Sequence, residues 1–378
     1  MRIAYDQQVF EMQRHGGISR YFTELVRNLG RRSGIEPTVT APIYINQYLL
    51  RPDVRDRVRG AFFPFRFRGE ARVARALNKA LLPLYWAGRN FDIVHETYYS
   101  QACRGRGRVR IMTLHDMIHE LFPRDFPDSA RVTAAKHAAV RRADHIICVS
   151  ETTRQDAIRL LGIAPERSSV IYLGCSLDKP VAATAPEATP APCILYVGVR
   201  SGYKNFLVLL EAFAASKSLP PTVDLVAFGG RPFSADERRR IGELGVAGRV
   251  RQMSGSDRFL EAHYRAAIAF VYPSRYEGFG IPPLEAMAVG CPVACSDAGS
   301  IREVVGDAGA YFQPDDVQGL RAILERLADD RAYAAQLRAR GFAQIKKYSW
   351  ESCAQETLQL YEQLLGIVPS SLSGSAGQ

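Results

Sequence analysis

Short apolar runs alternate with longer amphipathic stretches along this chain, and the alternation breaks off once and begins again. In the first half, runs suited to buried strands stand at 2–6, 91–95, 109–114 and 145–149. Ile18, Tyr21, Phe22, Leu25, Val26 and Leu29 recur at helical spacing, and 129–142 also reads as a helix. Residues 177–192 hold four prolines among small residues with little periodicity, the composition of a linker. Strand-like runs then resume at 193–197, 223–228, 250–253, 268–272 and 292–296. Alternating strand and helix predicts a parallel sheet covered on both faces. The expected fold is therefore α/β, with two doubly wound, Rossmann-like domains at 1–176 and 193–348. A final amphipathic helix at 349–367 and a small, polar, disordered tail at 368–378 complete the reading. A length of 378 residues suits two domains that each bury a core.

Chemistry concentrates in Tyr272-Pro-Ser-Arg-Tyr-Glu277-Gly-Phe-Gly-Ile-Pro282-Pro-Leu-Glu285, which continues to Gly290. A buried strand leads into glycines that let a backbone approach a ligand closely. Pro282 suits a first helical turn, and Gly290 reads as its stop. Glu285 then lies about one turn into a helix whose positive end points at the loop. Taken singly, Glu285 could simply complement that dipole, and Glu277 could be a solvated loop residue. After the run at 193–197 comes Gly198-Val-Arg200-Ser-Gly-Tyr-Lys204-Asn, with two cations on a turn before a helix. Such a pair suits a diphosphate: arginine forms parallel bonds and lysine is a compact point charge. His15-Gly16-Gly17 makes a second strand-turn-helix corner, and His115-Asp116 follows the 109–114 run at the end where ligands of such sheets collect. His119, four residues on, could suggest a metal pair, but Pro123 limits the helix and no third ligand is evident.

Two glutamates eight residues apart around a glycine loop resemble the Glu-x7-Glu motif of the retaining, nucleotide-sugar-dependent glycosyltransferases of family 4. The resemblance spans nearly the whole chain and implies the GT-B fold, with its active site in the cleft between two domains. It implies that Glu277 and the amides of Gly278, Phe279, Gly280 and Ile281 face the donor sugar and phosphates, and that Glu285 accepts hydrogen bonds from the ribose hydroxyls. Gly16 and Gly17 would border the donor phosphates, and Arg200 and Lys204 would hold the leaving diphosphate. Backbone from Val250 and Arg251 onward would border the base. The string His115-Asp-Met-Ile-His-Glu-Leu-Phe-Pro is similar to one in bacterial mannosyltransferases of the family, where the first histidine approaches the donor sugar. That string and Gly-Tyr-Lys-Asn imply GDP-mannose as the donor, with a glycan or lipid-linked acceptor in surface-polysaccharide assembly. The Arg-x-x-x-Lys spacing is tighter than is usual in the family. No Asp-x-Asp occurs, so no metal cofactor is expected. Another nucleotide sugar, a UDP-hexose or a GDP-deoxyhexose, stays open.

The net charge of +10 is uneven: 28 Lys and Arg stand against 17 Asp and Glu up to residue 175, and 21 against 22 beyond. Residues 51–89 interleave arginines with Phe62, Phe63, Phe65, Phe67, Leu77, Tyr85 and Trp86, a pattern that fits either a helix on an anionic membrane or a core-packed helix with a solvated basic face. Nucleic acid is not expected as a partner, because no recognised module or zinc spacing accompanies the charge. A basic nucleic-acid or anionic-lipid binder with a degenerate cleft is the reading from another class. Seven scattered cysteines without Cys-x-x-Cys read as reduced thiols, and no run is long enough to span a bilayer. A cytoplasmic protein, peripheral on the inner membrane, is the expectation.

Overall fold

A computed structural model describes residues 1–175, 190–200 and 202–367. Most of the expected linker, 177–189, and the expected tail, 368–378, lie outside the described residues. The chain divides into two compact units: Met1–Gly174 together with the chain from Trp350 onward, and Cys175–Ser349.

The first unit is built on seven strands: β1 (Arg2–Tyr5), β2 (Glu36–Tyr44), β3 (Val58–Phe62), β4 (Phe91–Glu96), β5 (Gly107–Leu114), β6 (His145–Cys148) and β7 (Ser168–Val170). Every pair is parallel, in the order β3-β2-β1-β4-β5-β6-β7. The second unit has six, β8 (Cys193–Val197), β9 (Asp224–Phe228), β10 (Val250–Met253), β11 (Ala267–Tyr272), β12 (Val293–Ser296) and β13 (Gly309–Phe312), in the order β10-β9-β8-β11-β12-β13. Both sheets are doubly wound, as the alternation predicts. In each, the strand order reverses beside the first strand, between β1 and β4 and between β8 and β11. A crevice opens at the carboxyl ends of the strands where the winding changes direction, and ligands of such sheets bind there.

Sequence periodicity passes over β2, which contains Pro37 and Pro42. Proline removes a ladder donor and is rare inside a sheet. Here the β2–β3 register shifts between Thr40 and Ile43. The Asn78 side chain covers the gap, accepting from Ile43 N at 2.8 Å and donating to Ile43 O at 2.8 Å. Asn78 comes from the helix Glu70–Trp86. The basic stretch 51–89 is not one helical segment, since a short helix at Pro52–Arg55 and the strand β3 precede Glu70–Trp86. Its helix buries Ala74, Asn78 and Trp86 and leaves Leu77 and Leu84 exposed.

The last helix, Trp350–Leu365, packs within the first unit. Tyr361, fully buried, bonds His95 Nδ1 at 2.6 Å and lies 3.3 Å from the Tyr5 hydroxyl.

Candidate active site

β11 delivers the chain into the loop 273–280 at the carboxyl end of the second sheet, and the following turns after β12 hold that loop in place. The buried Ser300 hydroxyl lies 2.9 Å from both Glu277 O and Phe279 O and donates to them. The Ser296 hydroxyl donates to Ser274 O. Gly299, at φ +56°, presses against the backbone of Glu277 so closely that a Cβ there would sit 2.9 Å from Glu277 N and 3.0 Å from Glu277 O. Gly280, at φ +110°, ends the loop in the left-handed region and caps the helix Ile281–Ala288. That helix carries Pro282 and Pro283 in its first turn, which have no N–H to give, so the first-turn amides left without intrahelical partners are those of Ile281 and Leu284.

The turn after β8 brings the lysine to the same place. Lys204 Nζ donates to Glu277 Oε1 at 2.6 Å, with side chains 18 % and 11 % exposed. It also lies 5.0 Å from the centre of the Tyr203 ring and 5.7 Å from that of Tyr272. Burial and the adjacent Glu277 carboxylate hold the Tyr272 hydroxyl well above its ordinary range, so it stays protonated. Asn205 follows at φ 56°, a conformation that asparagine tolerates, and its Nδ2 donates to Pro314 O at 2.6 Å. This anchor explains why Lys-Asn, rather than Lys alone, closes the turn.

Arg200 does not share that partner. Its side chain is only 5 % exposed, and its guanidinium donates to Glu237 Oε1 at 2.8 Å and to Arg231 O at 2.6 Å and packs 4.6 Å from the Phe233 ring. The expected cation pair is thus split between two acids, Glu277 for the lysine and Glu237 for the arginine. Glu285, on the helix after the loop, is buried and meets the Tyr264 hydroxyl at 3.4 Å. Val250 and Arg251 are not brought to the loop. The Val250 side chain belongs to the core, and Arg251 pairs with Asp224 at the opening of β9. The carboxyl end of β10 is Met253, whose carbonyl accepts from Gly229 N at 2.8 Å.

In the first unit, Gly16 caps and Gly17 opens the helix Gly17–Leu29, where a Cβ on Gly16 would meet Gln13 Oε1 at 2.2 Å. His115, at the end of β5, packs edge-on against Tyr21 and Phe22 of that helix, with ring centres 5.6 and 6.0 Å away. The two features therefore share one corner. The His115 amide donates to the Tyr99 hydroxyl at 3.2 Å, and its buried Nε2 has no hydrogen-bond partner among the described residues. Burial pulls its pKa down to about 4, against a smaller upward pull from Asp116, so the imidazole is neutral near pH 7. Fully buried Lys136 fixes the next turn, donating to Asp116 O at 3.0 Å and Glu120 Oε2 at 2.7 Å.

This chemistry suits an anionic ligand: a lysine held by a carboxylate, helix amides, and buried acids able to accept from hydroxyl groups. Among the described residues, the one group of three potential metal ligands is Asp6, Glu96 and Cys103, outside these loops. Glu96 there already accepts from Arg142 and Arg110, which leaves little for a cation. Sequence reasoning missed Ser300, Ser296, Glu237 and Tyr264.

Comparisons with known proteins place the chain. The family described as Glycosyltransferase Family 4 matches residues 15–179, and Glycosyl transferases group 1 matches 183–344. The O-antigen chain mannosyltransferase B of Escherichia coli is 35 % identical over 277 residues, covering 67 % of this chain and 70 % of that protein. The serotype-specific mannosyltransferase WbdA of Escherichia coli is 29 % identical over 288 residues, which is 71 % of this chain but only 35 % of the relative. Among solved structures, sucrose-phosphate synthase from Thermosynechococcus elongatus superposes with a TM-score of 0.74 at 21 % identity, covering 97 % of this chain and 99 % of that one. The last match bears on the fold alone.

Proposed function

The chain belongs to the family 4 glycosyltransferases and is a hexosyltransferase of that family, and on that premise we propose that it transfers mannose from GDP-mannose to a glycan or lipid-linked acceptor in O-antigen-type polysaccharide assembly. The observation that carries this reading is the cluster at the winding reversal of the second sheet, where Lys204, Glu277 and the amino end of Ile281–Ala288 stand together. In this reading Lys204 and the helix amides take the charge that develops on the diphosphate, and no metal is needed. Glu285 accepts from the ribose hydroxyls. Arg200 must exchange Glu237 for a phosphate if it is to assist, and otherwise it braces the turn that carries Lys204.

The sugar keeps its anomeric configuration because the acceptor hydroxyl attacks from the face the diphosphate leaves. The acceptor O–C1 bond forms, the C1–O phosphate bond breaks, and a phosphate oxygen takes the proton. A double displacement would need a free carboxylate at C1. Glu277 is tied to Lys204 and Glu285 is met by Tyr264, which supports the single-face route.

Association with the cytoplasmic face of an anionic membrane belongs to the same proposal. It is supported by Phe65, 65 % exposed, and Leu84, 72 % exposed, set among the arginines of 51–89. No helix among the described residues is long and apolar enough to cross a membrane.

The test is a panel of nucleotide sugars read by thermal stabilisation and transfer. GDP-mannose at about a hundred times its Kd should raise Tm by roughly 3–7 °C. A larger rise with a UDP sugar would reassign the donor, and no rise with any of them would remove the cluster from consideration as a nucleotide-sugar site.

A further inference from the structure

The first unit contains a cavity of about 1180 Å³ that none of the proposed donor contacts uses. It opens where that sheet's winding reverses. Asp6 follows β1 at its base, and the segment 99–106, which follows β4, forms one wall. The helix Glu70–Trp86 forms the other. Seven cations line it against two carboxylates, Asp6 and Glu11. Three of the seven already have acids: Arg75 has Glu11, Arg110 has Glu96 and Arg131 has Asp128. Arg72, Lys79, Arg104 and Arg106 form no ion pair among the described residues.

The arginine-bearing wall is held in position. Gly105 is buried so tightly that a Cβ would lie 2.8 Å from Val94 Cγ1 and 3.1 Å from the Trp86 ring. Its carbonyl accepts from Arg110 Nη2 at 2.7 Å. Arg104 and Arg106 therefore flank a fixed point. Two separate segments thus place four exposed like charges around one concavity, a field that attracts an anion.

We infer that this cavity receives a phosphate or diphosphate ester carried by the acceptor. The inference rests on the transferase reading above and names the acceptor's chemical class. The ester could belong to a lipid-linked diphosphate or to a water-soluble sugar phosphate, and both present the same group to Arg72, Lys79, Arg104 and Arg106. Met12, Leu82 and Trp86 add apolar lining beside it.

The experiment uses the full chain with its nucleotide site filled by saturating GDP, so that added diphosphate cannot lodge beside Lys204. Inorganic diphosphate and citronellyl diphosphate are titrated by calorimetry against wild type and against Arg72→Gln/Arg104→Gln and Lys79→Gln/Arg106→Gln. Saturable binding at one site is expected, weakened about tenfold or more in each double variant and with a clear salt dependence. Tighter binding of the citronellyl ester identifies a lipid-linked acceptor, and equal binding a soluble one. Absence of saturable binding, or variants that bind both probes like wild type, would overturn the inference. GDP is titrated separately against every protein, which verifies the fold of the variants and keeps the fate of the donor reading distinct.

Discussion

Replacing Gly299 by alanine tests whether the 277–280 loop must be held where it is. Gly299 sits at φ +56°, and a methyl group would lie 2.9 Å from Glu277 N, 3.0 Å from Glu277 O and 3.3 Å from Tyr276 Cδ2. Those first two contacts are backbone atoms, which cannot swing aside as a side-chain tip can. The left-handed conformation costs an alanine about 1 kcal/mol, and crowding adds about 1–3 kcal/mol. The total loss of stability is then about 2–4 kcal/mol unless the loop moves. If it moves, Glu277 shifts relative to Lys204, and misplacement of this kind costs on the order of a hundredfold in rate. Gly245→Ala is the control, because Gly245 has φ +70° but nothing within 4 Å of its added Cβ. It carries the backbone penalty without the collision. Thermal melts and steady-state mannose transfer are measured on both. Turnover of Gly299→Ala within about threefold of Gly245→Ala would refute the reasoning.

Glu285→Ala should abolish nucleotide-sugar turnover with the fold intact, as judged by circular dichroism; unchanged transfer rates would refute its role. Lys204→Met leaves a buried Glu277 without its cation and should cost about 2 kcal/mol in denaturant melts. Adding Glu277→Gln should restore part of that stability but none of the turnover. His115 titrates at about 4 when folded against about 6.5 when unfolded, so the unfolded chain binds the extra proton and stability falls as pH drops through that window. Between pH 7 and 4.5, wild type should lose about 2 kcal/mol more than His115→Asn, read from melts across pH. Vesicles containing anionic lipid should sediment the protein and neutral vesicles should not, and Phe65→Ser with Leu84→Ser should abolish the difference.

The two-sheet architecture was legible because buried parallel strands and amphipathic helices carry different periods. The spans Cys193–Val197 and Ser129–Arg142 coincide with the runs read from the sequence, and Trp350–Leu365 falls within the expected 349–367. β2 was not legible, since Pro37 and Pro42 argue against a strand and the compensation comes from Asn78, a side chain some 35 residues away. The loop cluster follows the same division. Lys204, Glu277 and the glycines were visible as local patterns, while Ser300 acts through a hydroxyl on distant carbonyls and leaves no spacing to find. Arg200 was read with Lys204 because both stand on one turn. Its partner Glu237 belongs to the helix Ala235–Glu243, which no local rule connects to that turn. The strand Val250–Met253 was read with its observed bounds, and in its register against β9 Val250 and Arg251 open it while Gln252 and Met253 end it.

The second unit interrupts the first in sequence, and Tyr361, which bonds His95, lies 266 residues after it. On the ribosome the earlier unit emerges lacking a piece of its own interior, with Tyr5 and His95 waiting through the synthesis of everything between. The later unit is one uninterrupted stretch and completes first. Maturation of this protein therefore runs against the order of translation, and a message truncated shortly before residue 350 would yield a sound second half attached to an unfinished first.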